Sequence, residues 1–396
     1  MKRILLVSTA IILLLLSCTG QKTITLQNLW QGKLKSQYRL RIVKQKRFLL
    51  DSNSAPRLQY IQYFENVNGR SLFCFINKYN KTIYTYDYAK SQFVRKLSIL
   101  TDKKDAKMVP EAFYIKSPDS IYVYNATLVN FLLIDKNGNS IKTISLINNK
   151  NIARDRWTYR YPQYSVQTAS PLISLAGNLV FAGQYMDSLP DSILNHFKFL
   201  SFTSFNTQQT KFNNLYPKDL YGANVNWNGG IFSEVFLTQM PDSKSFLISF
   251  PISHNMFVVN MQNNLTKKIY GGSNVAGNIS SLSSSKDRTT RAELHQHVME
   301  NDEYAAVLYD KYRRRYYRFL RRAAPGVKSL TYNDKLVNVV IMDEQFHFIG
   351  ESTLGKLKNW YIQNAFVTKD GLNIEYLPDH PNEDIVTLKI LTVEKL

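Results

Sequence analysis

Cysteine is nearly absent from this 396-residue chain: Cys18 and Cys74 are the only two. That excludes a disulfide scaffold and a multi-thiolate metal site. Long hydrophobic runs are missing as well. The apolar stretch over residues 4–16, broken by Ser8 and Thr9, falls short of the roughly 20 residues that a transmembrane helix needs. Acids are scarce beside bases, 30 against 50, for a net charge of +20. Sequence signatures of catalysis are lacking too. There is no His-Glu-x-x-His, no Cys-x-x-Cys, no P-loop and no Gly-x-Ser-x-Gly elbow. Ser117-x-Asp119 begins like a sialidase Asp-box, but the downstream Gly and Trp are missing. What is abundant is apolar and aromatic: 44% hydrophobic residues, with 25 Tyr and 22 Phe. Such a chain folds, and its aromatic bias suits half-buried strands.

The N-terminus carries a location. Lys2 and Arg3 precede the short apolar run, which ends in Leu15-Leu16-Ser17-Cys18. A basic start and a run of this length form a signal peptide. The ending resembles a bacterial lipobox, in which a small residue precedes the cysteine whose thiol takes a diacylglycerol. The competing reading is an ordinary secretory leader with a chance cysteine. The rarity of cysteine and its placement at the one required position favour lipidation of Cys18, after removal of residues 1–17. Two or three acyl chains meet the requirement for stable anchoring that one chain fails. Thr19-Gly20-Gln21-Lys22 holds no Asp after the cysteine and no acidic run. This points to the periplasmic face of the outer membrane. Cys74, within Leu72-Phe73-Cys74-Phe75-Ile76, reads as a small buried hydrophobe.

Loss of Lys2 and Arg3 with the leader lowers the net charge from +20 to +18. An exported chain meets anionic headgroups and acidic glycans rather than nucleic acid, so no nucleic-acid partner is expected.

The mature chain shows almost no amphipathic helix. Short runs of strand formers recur instead, among them residues 71–76, 82–86, 120–124, 130–134, 256–259, 316–320 and 337–342, with hairpin dipeptides at Asn68-Gly69, Asn137-Gly138 and Asp370-Gly371. At an offset of 48 residues, Phe73 falls on Ile121, Asn77 on Asn125, Ile83 on Phe131 and Asp87 on Asp135. A repeat of about 40–50 residues with four strands marks a β-propeller blade. Fainter units span residues 168–213, 231–271 and 294–351. The last unit, 361–393, has three strands, and an N-terminal strand, either Tyr38 to Val43 or Thr23 to Leu26, would complete it and close the ring. The expectation is an all-β propeller of six four-stranded blades, seven being the alternative count and a β-sandwich pair the competing fold. Residues 18–50 form the lipidated N-terminus and tether, with such a closing strand within it, and 51–396 the propeller. The serine-rich residues 273–293, with 148–170 and 213–230, read as exposed loops.

The lipobox, Ser117-Pro118-Asp119-Ser120-Ile121-Tyr122-Val123-Tyr124, Tyr309-Asp310-Lys311-Tyr312-Arg313-Arg314-Arg315-Tyr316-Tyr317-Arg318-Phe319 and Ile341-Met342-Asp343-Glu344-Gln345-Phe346 together resemble a family of Bacteroidota lipoproteins of unknown function. The resemblance implies a TolB-like six-bladed propeller in the cell envelope. It brings no catalytic residues with it.

Two clusters remain as chemistry. Arg313, Arg314, Arg315 and Arg318 interleave with Tyr316 and Tyr317; guanidinium forks bind carboxylate or phosphate, and tyrosines stack on sugars. This makes the run a candidate site for an anionic ligand or glycan. The competing reading is a hairpin whose tyrosines pack between blades while its arginines face water. His295 and His297 would share one face of a strand, but a metal needs three or four ligands, so they are weak metal candidates. No cofactor is expected. The acids at strand ends, Asp87, Asp135, Asp310 and Asp343, sit where turns need acceptors. The resulting expectation is a lipid-anchored, non-catalytic binding or scaffold protein for an envelope protein, peptide or anionic glycan. A propeller hydrolase or lyase, and an accessory lipoprotein of a nutrient-uptake system, are the alternatives.

Overall fold

A computed structural model describes residues 22–54, 58–67, 69–101, 108–147, 157–222, 224–260, 267–326 and 330–396. Cys18 and the expected leader, and residues 148–156 of the expected loop, lie outside the described residues.

The strands group into six four-stranded antiparallel units. Blade 1 comprises Tyr60–Val67, Arg70–Asn77, Thr82–Asp87 and Gln92–Ser98; blade 2 comprises Pro110–Ser117, Ser120–Asn125, Asn130–Ile134 and Ser140–Ser145. The 48-residue offset is therefore the step from one blade to the next, with equivalent residues on equivalent strands. Blade 3 runs from Ile173–Leu175 to Thr210–Leu215, blade 4 from Phe236–Gln239 to Lys267–Tyr270, and blade 5 from Glu303–Asp310 to Phe348–Lys356. Blade 6 takes three strands from the C-terminus, Trp360–Thr368, Gly371–Tyr376 and Ile385–Lys395. Its fourth is Tyr38–Leu49, antiparallel to Ile385–Lys395 along its whole length. Joining the two ends of the chain in one sheet leaves the ring without a seam.

The first strand of each blade is innermost. The first strands of blades 6, 1 and 2 touch in turn, as do those of blades 4, 5 and 6. The last strands face solvent: Gln92–Ser98 is exposed at nearly every position. The cores are aromatic: Phe48 of blade 6 stacks on Phe73 of blade 1 at 4.5 Å, and within blade 1 Phe75 stacks on Tyr84 at 5.2 Å. Such pairs add to plain burial of apolar area.

Two glycines are set by close approach. Gly138 has φ +86°, and a Cβ there would lie 1.9 Å from Ser98 O of blade 1. Gly350 lies against Tyr38 in the one parallel pairing between blades 5 and 6, where a Cβ would lie 1.9 Å from Tyr38 O.

The loop expectations are corrected. Residues 273–293 are packed: Ile279–Ser280 pairs with Thr25–Leu26, and Ser273, Ala276 and Ile279 are fully buried. A ten-residue helix, α1 (Arg291–Glu300), follows. Thr290 and Glu293 close a capping box at its start, which satisfies backbone N–H groups that the first helical turn leaves open. In residues 213–230, Tyr216, Tyr221 and Trp227 are buried.

Candidate functional site

The central channel is plugged from within. Thr168 Oγ1 accepts a hydrogen bond from Ile61 N of blade 1 at 2.8 Å and donates to Asn364 Oδ1 of blade 6 at 3.0 Å. Ala169 N donates to Gln363 O, and Ser170 Oγ accepts from Leu237 N of blade 4 at 2.8 Å. Blades 1 and 4 stand opposite each other in a six-membered ring, so a segment bonded to both crosses the axis. This corrects the last part of the loop expected over 148–170.

Above the plug the ring opens as a funnel of about 500 Å³. Thr168, Ala169, Pro171 and Leu172 form its floor; Tyr114, Ser174, Thr238, Gln239, Tyr309 and Phe366 line its wall. The wall residues come from the ends of the inner strands, so the mouth lies on the face where those strands finish. The Asp310–Arg315 turn of blade 5 forms one side of the rim. Lys311 Nζ lies 2.8 Å from Glu65 Oε2 of blade 1, and Tyr312 Oη donates to the other Glu65 oxygen. Burial works against the Glu65 carboxylate, but the hydrogen bonds from Lys311 and Tyr312 outweigh it and hold the group below the ordinary carboxylate range.

The arginine-tyrosine run divides in two. Arg313 bonds Asp310 Oδ2 at 3.1 Å and Lys369 O at 2.7 Å. Arg314, in the left-handed region at φ 53°, holds Glu344 through Nε at 2.8 Å. The Arg315 guanidinium lies 5.0 Å over the Tyr38 ring. Arg313 and Arg314 thus sit in the turn beside Lys311 at the rim, and Arg315 turns to the outer strand of blade 6. Tyr316, Tyr317 and Arg318 are buried and offer no ligand surface. Arg318 donates to Ser249 Oγ and to the carbonyls of Ser253, His254 and Gly271 in or beside blade 4, and it lies 3.9 Å over the Tyr304 ring. Burial lowers its pKa to about 10. The candidate anion site is thus corrected for these three residues: Tyr316 and Arg318 face blade 4, while Tyr317, on the opposite face of the strand, packs with Ile374 and Leu391 of blade 6. The competing picture of water-facing arginines fails at Arg318 and at Arg321, also buried, which lies 3.4 Å from Glu234 and 3.5 Å from Glu303.

His295 and His297 lie on α1, not on a strand. Two helical positions are about 200° apart, so His295 is exposed while His297 is buried and bonded to Asn301. His254 bonds Tyr304 Oη and Leu26 O. No group of three or more metal-ligating side chains occurs among the described residues.

The strand-end acids cap turns. Asp87 accepts from Lys90 N, Asp135 from Asn137 and Asn139 N, Asp310 from Tyr312 and Arg313 N, and Asp343 from Gln345 and His347 N. Cys74 is buried and bonded to Thr85; burial pushes its thiol up to about 11.

The model of the domain of unknown function DUF4221 matches residues 39–353. The chain belongs to this family. A crystal structure of a DUF4221 member from Bacteroides vulgatus superposes with a TM-score of 0.72 at 15% identity, covering 92% of this chain and 100% of that one. A Bacteroides fragilis protein superposes with a TM-score of 0.50 at 10% identity, covering 92% and 98%. At these identities the likeness shows the fold. No curated relative matches the chain. As a DUF4221 member it is a β-propeller from a family without an assigned activity.

Proposed function

We propose that this DUF4221 protein is a lipid-anchored binding module of the cell envelope, and that its funnel mouth takes an acidic glycan without transforming it. The observation that carries this reading is the funnel itself. Its floor is closed by residues 168–172, its wall presents aromatic, hydroxyl and amide groups, and Lys311 and Arg313 stand on its rim. Tyr114 and Tyr309 suit sugar faces, Thr238 and Gln239 suit sugar hydroxyls, and the rim cations suit a carboxylate or sulfate. A glycosidase needs two carboxyl groups flanking the scissile bond. Glu65, Asp310 and Glu344 at this mouth are instead engaged by Lys311, Arg313 and Arg314, which supports binding over turnover. The leader and Cys18 supply the envelope location.

Titration calorimetry against acidic and neutral oligosaccharides tests the site. Acidic glycans bind, neutral ones bind at least about tenfold more weakly, and Tyr309→Ala loses at least about tenfold in affinity. Cleaved products in the cell would make the protein a hydrolase or lyase, and equal binding of both glycan classes would remove the rim cations from recognition. For the anchor, Cys18→Ala releases the protein from the membrane fraction; retention there would defeat the lipoprotein assignment.

A further inference from the structure

The first described residues do not trail away from the ring. Asn28 is buried, and its amide donates to Ser273 O and Ala276 O, each at 2.8 Å. Its Oδ1 accepts from Tyr270 Oη at 2.8 Å. Gly32 N donates to Asn274 O, and Leu34 N to Asn274 Oδ1, both at 2.8 Å. Between these fixed points the chain makes a tight turn, with Gln31 N bonded to Asn28 O and Lys33 N to Trp30 O. On this pinned turn two large apolar side chains face outward: Leu29 is 66% exposed and Trp30 49%. Lys22, Lys33 and Lys35 are exposed along the same segment, Lys33 Nζ donating one hydrogen bond to Leu29 O at 2.8 Å, and exposed Lys267 precedes Tyr270, whose ring lies 6.3 Å from Trp30. A rigid backbone that displays Leu and Trp among lysines has the composition of a bilayer-interface contact. The indole sits at headgroup depth, leucine goes below it, and the ammonium groups meet anionic phosphates.

The position of this turn agrees with the chain that precedes it. Lys22 is four residues after Cys18, a span of at most about 14 Å. Leu26 O lies 3.2 Å from His254 Nε2, in the connection between the second and third strands of blade 4. Second strands begin at the funnel face and end on the opposite one. The N-terminal segment therefore lies on the side of the ring away from the funnel.

We infer that Leu29 and Trp30, with Lys22, Lys33 and Lys35, form a second membrane contact that docks the ring on an anionic phospholipid surface with the funnel facing away from the bilayer. The inference rests on the lipid-anchored reading, because the anchor delivers this turn to the surface. The contact turns a loose tether into a fixed orientation.

The test uses the full protein purified from membranes and reconstituted into phosphatidylethanolamine–phosphatidylglycerol vesicles whose acyl chains carry bromine. Trp30 emission is quenched, and the Trp30-dependent part of the quenching disappears in Trp30→Phe, which reads the background of half-buried Trp157 and of buried Trp227 and Trp360. Replacing phosphatidylglycerol by phosphatidylcholine reduces the quenching. A Leu29→Ser/Trp30→Ser variant melts as the wild type does, since both side chains are exposed, but loses the fixed orientation. Mass spectrometry of Cys18 reads the anchor separately. An acylated chain whose Trp30 is unquenched overturns the docking contact and leaves the anchor standing. An unacylated chain that still shows quenched Trp30 overturns the anchor and leaves the contact standing.

Discussion

Thr168 Oγ1 lies 3.0 Å from Asn364 Oδ1, and through this contact an irregular segment from between blades 2 and 3 is tied to the inner strand of blade 6. The same oxygen accepts from Ile61 N, so one hydroxyl serves two blades. Thr168→Val keeps the shape but leaves Ile61 N and Asn364 Oδ1 without their partner in a buried site. The expected loss is about 1–3 kcal/mol, measured as a shift of the urea midpoint at constant slope. An unchanged midpoint would mean that the plug contributes nothing to closing the ring.

Arg318 makes the corresponding join between blades 4 and 5, and a lysine cannot replace it. A single ammonium cannot reach Ser249, Ser253, His254 and Gly271 together, and each orphaned buried carbonyl costs about 1–3 kcal/mol. Arg318→Lys is expected to destabilise by about 2–4 kcal/mol while leaving ligand affinity per folded molecule unchanged. Loss of glycan affinity with intact stability would return Arg318 to the binding surface.

These two residues also mark where the sequence stops being legible. The blade repeat was readable because Phe73 and Ile121, or Asn77 and Asn125, face the same environment one blade apart, and period and pattern carry that information. The missing strand of the last unit was readable because three strands leave an open edge, and Tyr38–Leu49 fills it. Arg318 was not readable. Its acceptors lie on residues 249–271 of another blade, so nothing next to it in the chain distinguishes it from arginines 313–315. The plug carries no pattern, since its polar groups are satisfied by residues far away in the chain. The helix Arg291–Glu300 did leave a signal, Thr290-x-x-Glu293, hidden at the end of a serine-rich stretch.

Acid stability follows from two buried imidazoles. Burial, aided by the Arg318 charge, lowers His254 from 6.5 to about 4; burial, aided by Lys335, lowers His297 likewise to about 4. Between those values the unfolded chain binds more protons than the folded one, so stability rises with pH across this window. It is complete above about 6.5 and falls as pH drops towards 4, by up to about 3 kcal/mol for each histidine. Denaturation midpoints from pH 7 to 4 measure this. His297→Phe is expected to halve the pH slope, and an unchanged slope would assign the effect to other groups.

Glu65 partly neutralises the rim that an acidic ligand would meet. The Lys311 side chain is 64% exposed, so the pair is screened and worth about 0.2–1 kcal/mol. Glu65→Gln therefore changes stability little and raises affinity for an acidic glycan by about two- to fivefold at low salt. Added salt should narrow the difference, and reduced affinity would make Glu65 itself part of the recognition surface.

The docked orientation predicts which positions the bilayer shields. Cys74 is buried with its thiol raised to about 11, so it reacts slowly and leaves a quiet background for thiol labelling. Lys33→Cys stands beside the exposed Trp30, whereas Lys369→Cys stands in the turn after the inner strand of blade 6, on the funnel face. On anionic vesicles a water-soluble maleimide is expected to label position 33 about tenfold more slowly than it does in detergent, and position 369 at the same rate in both. The Leu29→Ser/Trp30→Ser background should restore labelling at position 33. If position 369 were the protected one, the ring would sit with its funnel against the membrane, and the ligand would have to be sought among lipid headgroups rather than in solution.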